Sequence, residues 1–173
     1  GATYLFTRDV WNDPQETFLG PICCTVAPSG DILVGSIHDS GWLGGMNVGE
    51  IVRLRPHGQL PNRIRELRAV PHGFEIEFLQ PVDRKRAMEA ASYSLSGYTR
   101  VWKGSYATDD SGLYVPRIER IDVSDDARVV RLTVDRLEPS YVYDIAVQSI
   151  SADGRELFPQ IGYYTMNRVP HSE

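Results

Sequence analysis

The strongest constraint on the fold is the alternation of apolar and polar residues with a period of two along most of the chain. In "GFEIEFL", the side chains of Phe74, Ile76 and Phe78 would point to one face of a strand and those of Glu75 and Glu77 to the other. Helical periodicity is confined to "DRKRAMEAASY", which is long enough for about two turns. The sequence therefore predicts an all-β protein.

Residues 61–173 are expected to form one β-sandwich. Turn signals such as "VPHG", "SDDAR", "EPS" and "ADG" separate apolar runs at the spacing of an immunoglobulin-like or fibronectin-like module. The eight predicted strands are "IRELRAV", "GFEIEFL", "YSLSGY", "TRVWKGSYA", "VPRIERIDV", "RVVRLTV", "YVYDIAV" and "IGYYTM". In "LEPSYVYDIAV", either Tyr141 or Tyr143 could brace the turn at Leu137 and Pro139, as the tyrosine corner of such modules does.

Residues 1–60 predict a three-stranded antiparallel meander. "ICCTVAPSGDILVGSI" is two apolar runs around a Pro/Gly/Asp turn, and "EIVRLRP" supplies a third strand before the boundary "RPHGQLPN". Alone, such a meander would expose an apolar edge, so we expect it to pair with the sandwich or to form a homodimer. Cys23 and Cys24 are adjacent and would point to opposite faces; we expect small buried side chains rather than a strained vicinal disulfide.

Charge and hydropathy exclude several classes of partner. A formal net charge of −5 gives no general attraction to nucleic acid, and the basic clusters "RLRPHGQLPNRIRELR" and "DRKR" indicate solvated faces. No apolar run approaches the roughly 20 residues of a membrane helix. Because the chain begins "GATYLF" without Met, we expect it to be an excised piece of a longer protein.

The glycine-rich stretch "HDSGWLGGMNVGE" between the second and third predicted strands is the first candidate site. His38, Asp39, Trp42 and Asn47 could contact a ligand there, and His38 with Asp39 could act as a general base or metal ligand. The alternative, which we favour, is a long turn with glycines at positive φ, a capping His/Asp pair and Trp42 as packing anchor. The remaining histidines lack zinc-ligand spacing, so no metal site is predicted.

A second candidate is the aromatic row Tyr98, Trp102 and Tyr106. Even spacing would place all three on one face of a strand, where their rings could stack on sugar rings. Packing in the core or between domains is the alternative that general burial favours. Asp109 and Asp110 could contribute to a calcium site, although a solvated hairpin turn explains them equally well.

The chain resembles the C-terminal part of large secreted bacterial proteins that join a quinoprotein (glucose/sorbosone dehydrogenase-like) β-propeller to an immunoglobulin-like domain. The first part contributes "APSGDILVGSIHDSGWLGGMNVGEIVRLRP" to this resemblance, and the second contributes "GFEIEFLQPVDRKRAMEAASYSLSGY", "RVVRLTVDRLEPSYVYDIAV" and "YYTMNRVP". The resemblance implies that the meander is a partial propeller blade and that the location is secreted or periplasmic.

Three functions follow from this resemblance and from the residues. The leading expectation is a non-catalytic accessory or interaction module of a secreted carbohydrate-active multidomain protein, in contact with neighbouring domains of its parent chain. The competing expectation is that His38 to Asn47 lines the site of a parent sugar dehydrogenase that depends on pyrroloquinoline quinone (PQQ) and calcium. The third is glycan binding by Tyr98, Trp102 and Tyr106. The fragment itself has no predicted cofactor and no assigned catalytic residue.

Overall fold

The protein is all-β, as predicted. The computed structural model describes residues 2–4, 20–38, 48–55, 62–104, 107–148 and 150–171. The strands are β1 (Ala2–Tyr4), β2 (Pro21–Val26), β3 (Ile32–His38), β4 (Val48–Leu54), β5 (Ile64–Val70), β6 (Gly73–Phe78), β7 (Tyr93–Thr99), β8 (Ser111–Tyr114), β9 (Ile118–Val123), β10 (Val129–Val134), β11 (Tyr141–Val147) and β12 (Ile161–Met166). Helical structure in the described part is one α-helical turn, α1 (Arg84–Ala87), and one 3-10 turn (Ala90–Ser92).

The chain divides into two compact units. One comprises residues 61–173 together with the N-terminal strand, and the other lies within residues 8–60. Strand β1 pairs antiparallel with β12, so it belongs to the second predicted domain rather than to the expected 1–60 segment. A three-residue strand carries too little alternation to be assigned from the sequence.

The larger unit is a sandwich of two antiparallel sheets with immunoglobulin-like strand order. One sheet is β5-β6-β10-β9 and the other is β1-β12-β11-β7-β8. If the strands from β5 onward are lettered A, B, C, C′, D, E, F and G, the first sheet is A-B-E-D and the second contains G-F-C-C′. The sequence prediction of an immunoglobulin-like sandwich is confirmed, with β1 added beyond the last strand.

The core of the sandwich lies between its two sheets. It is made from the inward residues of the alternating strands, which include Phe74, Ile76, Phe78, Leu95, Val130, Leu132, Tyr143 and Ile145. Gly73 lies where β6 approaches β10 so closely that a Cβ atom would sit 1.8 Å from the Leu132 carbonyl oxygen. The backbones of the two strands can meet at this point only because residue 73 has no side chain.

Tyr143 is the tyrosine of the predicted corner. Its fully buried ring places the hydroxyl 2.6 Å from the Glu138 backbone N–H, which donates to it, and 2.6 Å from the Tyr114 hydroxyl. Gly97 opposite leaves the space for both tyrosines, because a Cβ there would meet Tyr114 at 2.8 Å and Tyr143 at 3.0 Å. The turn before β11 is thereby tied to the core.

The smaller unit contains the predicted three-stranded meander, with strand order β2-β3-β4. Its first turn is closed by the Ala27 N–H donating to the Asp31 carbonyl at 2.8 Å, with Gly30 at φ 84°. In the register of the three strands, Cys24, Val34 and Val52 form one row of cross-strand neighbours. Cys23, Gly35 and Ile51 form the next row. Successive residues therefore alternate between two faces of this sheet.

One predicted strand was wrong. "TRVWKGSYA" was expected to be extended, but β7 ends at Thr99 and residues 100–104 are not in a strand. The chain instead reaches β8 at Ser111, which pairs with Thr99. The alternation in this segment belongs to the connection between two hairpin strands, where no neighbouring strand fixes the register.

Candidate functional site

The glycine-rich connection lies where the sequence placed it, between the second and third strands of the meander. His38 ends β3 and its backbone pairs with Val48 at the start of β4. Asp39, Trp42 and Asn47 lie outside the described residues, as does the side chain of His38. Their proposed contact with a ligand therefore stays a prediction.

The meander has apolar side chains on both faces. On the Val26 face (Cys24, Val26, Ile32, Val34, Val52 and Leu54), Val26 is 68% exposed. On the Ile51 face (Cys23, Leu33, Ile37 and Ile51), Ile51 is 78% exposed. The Ile51 face also carries Thr25 and Arg53, and Val34 and Ser36 are buried on the Val26 face, so each face is apolar only in part.

Cys23 and Cys24 are free thiols on opposite faces, but both are exposed. The prediction that they are buried was wrong for this unit. The reason is that β2 is an edge strand of the meander, and all six of its residues are exposed.

The buried acid of the meander serves the hairpin turn. Asp31 accepts from Arg53 Nε at 2.6 Å, from Arg55 Nε at 3.4 Å and from the Ser29 hydroxyl at 2.9 Å. The bond from Arg53, followed by that from Ser29, holds the pKa of Asp31 below its usual value. Its oxygens are thus engaged by protein groups, so this carboxylate is a structural anchor of the turn.

The calcium site considered for Asp109 and Asp110 is not supported by the described residues. No group of three or more His, Cys, Asp or Glu side chains among them is arranged to hold a metal ion. Asp110, considered above for calcium, accepts from Arg100 Nε at 2.7 Å in an exposed ion pair. No helix in the described part of the chain has the length and apolar character needed to cross a bilayer.

The aromatic row is not assembled as predicted. Tyr98 is half-buried on β7, Trp102 lies beyond the end of that strand with 79% of its surface exposed, and Tyr106 falls outside the described residues. The expected single strand face therefore does not exist. Trp102 is nevertheless a large exposed aromatic close in sequence to Tyr98, and it is absent from the core.

The outer face of the five-stranded sheet brings together residues that the sequence reasoning did not select. Asp144 on β11 lies directly between Tyr163 on β12 and Ser96 on β7. The Tyr98 hydroxyl lies near the Asp144 carboxyl, and Arg100 lies over the Tyr98 ring with Cζ 5.6 Å from its centre. We call Tyr98, Asp144 and Tyr163 the Asp144 face.

Asp144 has an unusual environment for an acid on the outside of a sheet. Its Oδ1 atom is shielded from solvent and has no hydrogen-bond partner in the described part of the chain. Burial raises the pKa of the Asp144 carboxyl, and the nearby Tyr98 hydroxyl opposes that shift. The sequence signal was present in "YVYDIAV", where Asp144 shares the outward-facing positions of the strand with Val142 and Ala146. Which residues of the adjacent strands lie beside Asp144, however, depends on the strand register.

Comparison with known proteins adds no argument about the fold or the function of the chain. No family model and no curated protein matches the chain. Similar solved structures include three of the bacterial S-layer protein SbsC. The crystal structure of rSbsC(31-844) has a TM-score of 0.46 at 18% identity, with 62% of this chain and 14% of that chain covered. The structure of SbsC domains 1-6 has a TM-score of 0.44 at 18% identity, with 61% of this chain and 14% of that chain covered. The crystal structure of the N-terminal part of SbsC has a TM-score of 0.44 at 17% identity, with 61% of this chain and 24% of that chain covered.

The chain thus matches between 14% and 24% of the length of these SbsC structures. Similarity of this degree carries no argument about function. The strand order and the tyrosine corner define the larger unit as an immunoglobulin-like β-sandwich.

Proposed function

We propose that the chain is a non-catalytic accessory module of a larger secreted carbohydrate-active protein, in which the meander is one blade of a β-propeller. The observation that supports this proposal is the exposure of apolar side chains on both faces of the meander. Val26 and Ile51 lie on opposite faces and are 68% and 78% exposed. Blades of a propeller are packed on two sides by their neighbours, and such packing would cover both residues.

The partner in this proposal is the rest of the same polypeptide, namely the adjacent blades. Burying one isoleucine or valine side chain is worth about 1.5–3 kcal/mol, so covering both faces would contribute several such increments. The edges of the meander are β2 and β4. In the 173-residue chain alone, we expect the exposed β2 edge to pair with a second copy as a homodimer.

The two cysteines allow a direct test, because each reports on one face. Cys23→Ser leaves only Cys24, on the Val26 face, and Cys24→Ser leaves only Cys23, on the Ile51 face. The rate of maleimide labelling of each variant would be measured in the 173-residue chain and in the full-length natural gene product. We expect both thiols to react readily in the short chain and at least about tenfold more slowly in the long one.

The two faces give distinguishable results. Protection of both thiols in the long chain supports a blade between two neighbours. Protection of one thiol only contradicts the blade and indicates a sheet packed on a single side. Equal labelling in both chains, or a gene product without further blades, overturns the proposal altogether.

A second candidate is glycan binding by the sandwich. It is favoured by Trp102, which is 79% exposed although large aromatic side chains are usually well buried. An aromatic ring open to solvent can stack on the apolar face of a sugar. A glycan array probed with the 173-residue chain tests this candidate, and loss of the signal in Trp102→Ala would assign the contact to that ring.

A dehydrogenase role for the connection between β3 and β4 would require the PQQ and calcium of a complete propeller. Asp39, Trp42 and Asn47 of that connection lie outside the described residues, so no catalytic step is assigned to this chain.

A further inference from the structure

We infer that the Ile51 face of the meander docks another sheet of the same polypeptide, and that an aliphatic side chain of that sheet enters a groove above Gly49. This inference rests on the proposed function, which places the meander beside adjacent blades. It names the contact by which one of those blades is held. The Val26 face is not part of this contact.

A shallow apolar groove crosses the Ile51 face. In the register of β3 and β4, Gly35 is the cross-strand neighbour of Ile51, and Gly49 is the neighbour of Ile37. Each isoleucine therefore stands beside a residue without a side chain, which gives the face alternating ridges and hollows. The groove has a volume of about 440 Å³, and its lining includes Ile22, Cys23, Gly35, Ile37, Gly49 and Ile51.

The hollows at the two glycines differ. A Cβ atom on Gly35 would lie 2.7 Å from the Cys23 Sγ atom, so the thiol already fills that space. A Cβ atom on Gly49 would lie 3.6 Å from the Ser36 carbonyl oxygen and 4.0 Å from the Ile37 Cγ2 atom, which are ordinary van der Waals contacts. As far as the described residues reach, the hollow above Gly49 is thus free to receive a side chain from outside the meander.

The walls of the groove select an aliphatic side chain. Ile51 is 78% exposed, Ile22 64% and Ile37 41%. Removing this apolar surface from water is favourable and requires no particular orientation of the incoming group. A polar group placed in the hollow would instead lose its hydrogen bonds to water without finding partners on these walls.

The charged residues nearest the groove do not face it. Arg53, at one end of the Ile51 face, donates to Asp31 at 2.6 Å and is therefore engaged within the meander. Glu50 follows Gly49 in the sequence, but the register places it beside Ser36, on the Val26 face. The occupant of the groove is consequently selected by shape and apolar character and not by an ion pair.

The size of the face decides between a second copy and the same polypeptide. The meander has three strands of six or seven residues. With strands about 4.8 Å apart and a rise of about 3.4 Å per residue, one face measures about 14 Å by 24 Å, or about 340 Å². Two copies packed through this face alone would bury about 700 Å², whereas specific complexes bury at least about 1,200 Å². Interfaces between domains of one chain start at about 600 Å², so the occupant is an intramolecular neighbour.

The test uses the Cys23 thiol, which lines the groove, as the reporter. In the Cys24→Ser background, the rate of maleimide labelling of Cys23 is measured in the full-length natural gene product with and without Gly49→Val. Valine suits the meander itself, since the added Cβ makes ordinary contacts and β-branched residues favour strands. It fills the hollow, however, and this overpacking should raise the labelling rate at least about fivefold. In the 173-residue chain, which lacks the neighbouring sheet, the same substitution should leave the rate unchanged.

Cys24 is the matched control, because it reports on the Val26 face. In the Cys23→Ser background, Gly49→Val should not alter the labelling rate of Cys24 in the full-length product. Equal acceleration of both thiols overturns the inference, because the substitution would then act on the whole unit and not on the Ile51 face.

The remaining outcomes separate this inference from the proposed function. If Cys23 is protected in the full-length product and Gly49→Val does not raise its labelling rate, the blade stands and the groove contact is overturned. If Cys23 is labelled equally fast in both chains without the substitution, the proposed function fails as well. If the 173-residue chain is a dimer in which Cys23 is protected until Gly49→Val is introduced, the occupant is a second copy, which overturns the choice of the same polypeptide.

Discussion

The most specific prediction for stability concerns the Tyr143 hydroxyl. In Tyr143→Phe the aromatic ring stays in the core, but the Glu138 N–H loses its acceptor at 2.6 Å and the Tyr114 hydroxyl loses its partner at 2.6 Å. A neutral hydrogen bond contributes about 0.5–1.5 kcal/mol net, and a buried donor left unsatisfied costs about 1–3 kcal/mol. We therefore expect the free energy of unfolding of the sandwich to fall by about 2 kcal/mol.

That loss corresponds to a decrease in Tm of about 8 °C, at roughly 4 °C per kcal/mol for a unit of this size. Calorimetry and urea unfolding followed by circular dichroism would measure it. Tyr141→Phe is the matched control. It removes the same group two residues earlier in β11, and the Tyr141 hydroxyl makes no hydrogen bond to any residue in the described ranges. Its effect should stay within about 0.5 kcal/mol.

A double-mutant cycle separates the contact of the Tyr143 hydroxyl with Tyr114 from its two hydrogen bonds to the Glu138 backbone, which are the bond accepted from N–H at 2.6 Å and the bond donated to the carbonyl at 3.3 Å. Tyr114→Phe removes only the contact between the hydroxyls and should cost about 1 kcal/mol, and the effects of the two substitutions should not add. If Tyr143→Phe is no more destabilising than Tyr141→Phe, the corner does not fasten the turn to the core, and the reasoning is refuted.

Three further substitutions should behave as follows. Arg131 and, to a smaller extent, Arg68 lower the pKa of Glu75. The ionised Glu75 carboxylate therefore stabilises the fold above the ordinary carboxyl pKa range, and this stabilisation is lost as pH falls through the lowered pKa. Glu75→Gln should thus lose about 1 kcal/mol at pH 7, and urea titrations should show the difference vanishing in acid. Burial raises the pKa of Asp144, so the unsubstituted protein should lose stability as pH rises through that pKa. Asp144→Asn should therefore be more stable than the unsubstituted protein at pH 7. Equal stability of the two proteins at pH 7 would contradict the assignment. Gly73→Ala should destabilise by about 3 kcal/mol in urea unfolding, because its Cβ would lie 1.8 Å from the Leu132 carbonyl oxygen, and a wild-type midpoint would contradict the close approach of the strands.

The fold was predictable wherever burial imposed alternation on a strand. Phe74, Ile76 and Phe78 point inward and Glu75 points outward, as the sequence indicated. Strand β1 was missed because three residues cannot display a period. The strand predicted around Trp102 was wrong because alternation without a partner strand does not define a strand.

The candidate site was less predictable than the fold. Ser96 precedes Asp144 by 48 positions and Asp144 precedes Tyr163 by 19, and only the registers of β7, β11 and β12 place them side by side. Nothing in a single sequence fixes those registers. The aromatic row at Tyr98 was selected for even spacing, whereas the structure groups Tyr98 with an acid from another strand.

The pairing of β1 with β12 has a consequence for how the protein folds. Ala2 lies opposite Tyr164, so β1 cannot pair until β12, which follows it much later in the sequence, has been synthesised. Contacts between such distant residues form slowly, because a long loop must be closed before any pairing is gained. Until β12 is made, β11 is the open edge of the unfinished sheet. A chaperone or a second nascent chain could pair with that edge. A chain truncated before Ile161 should remain in this open state permanently.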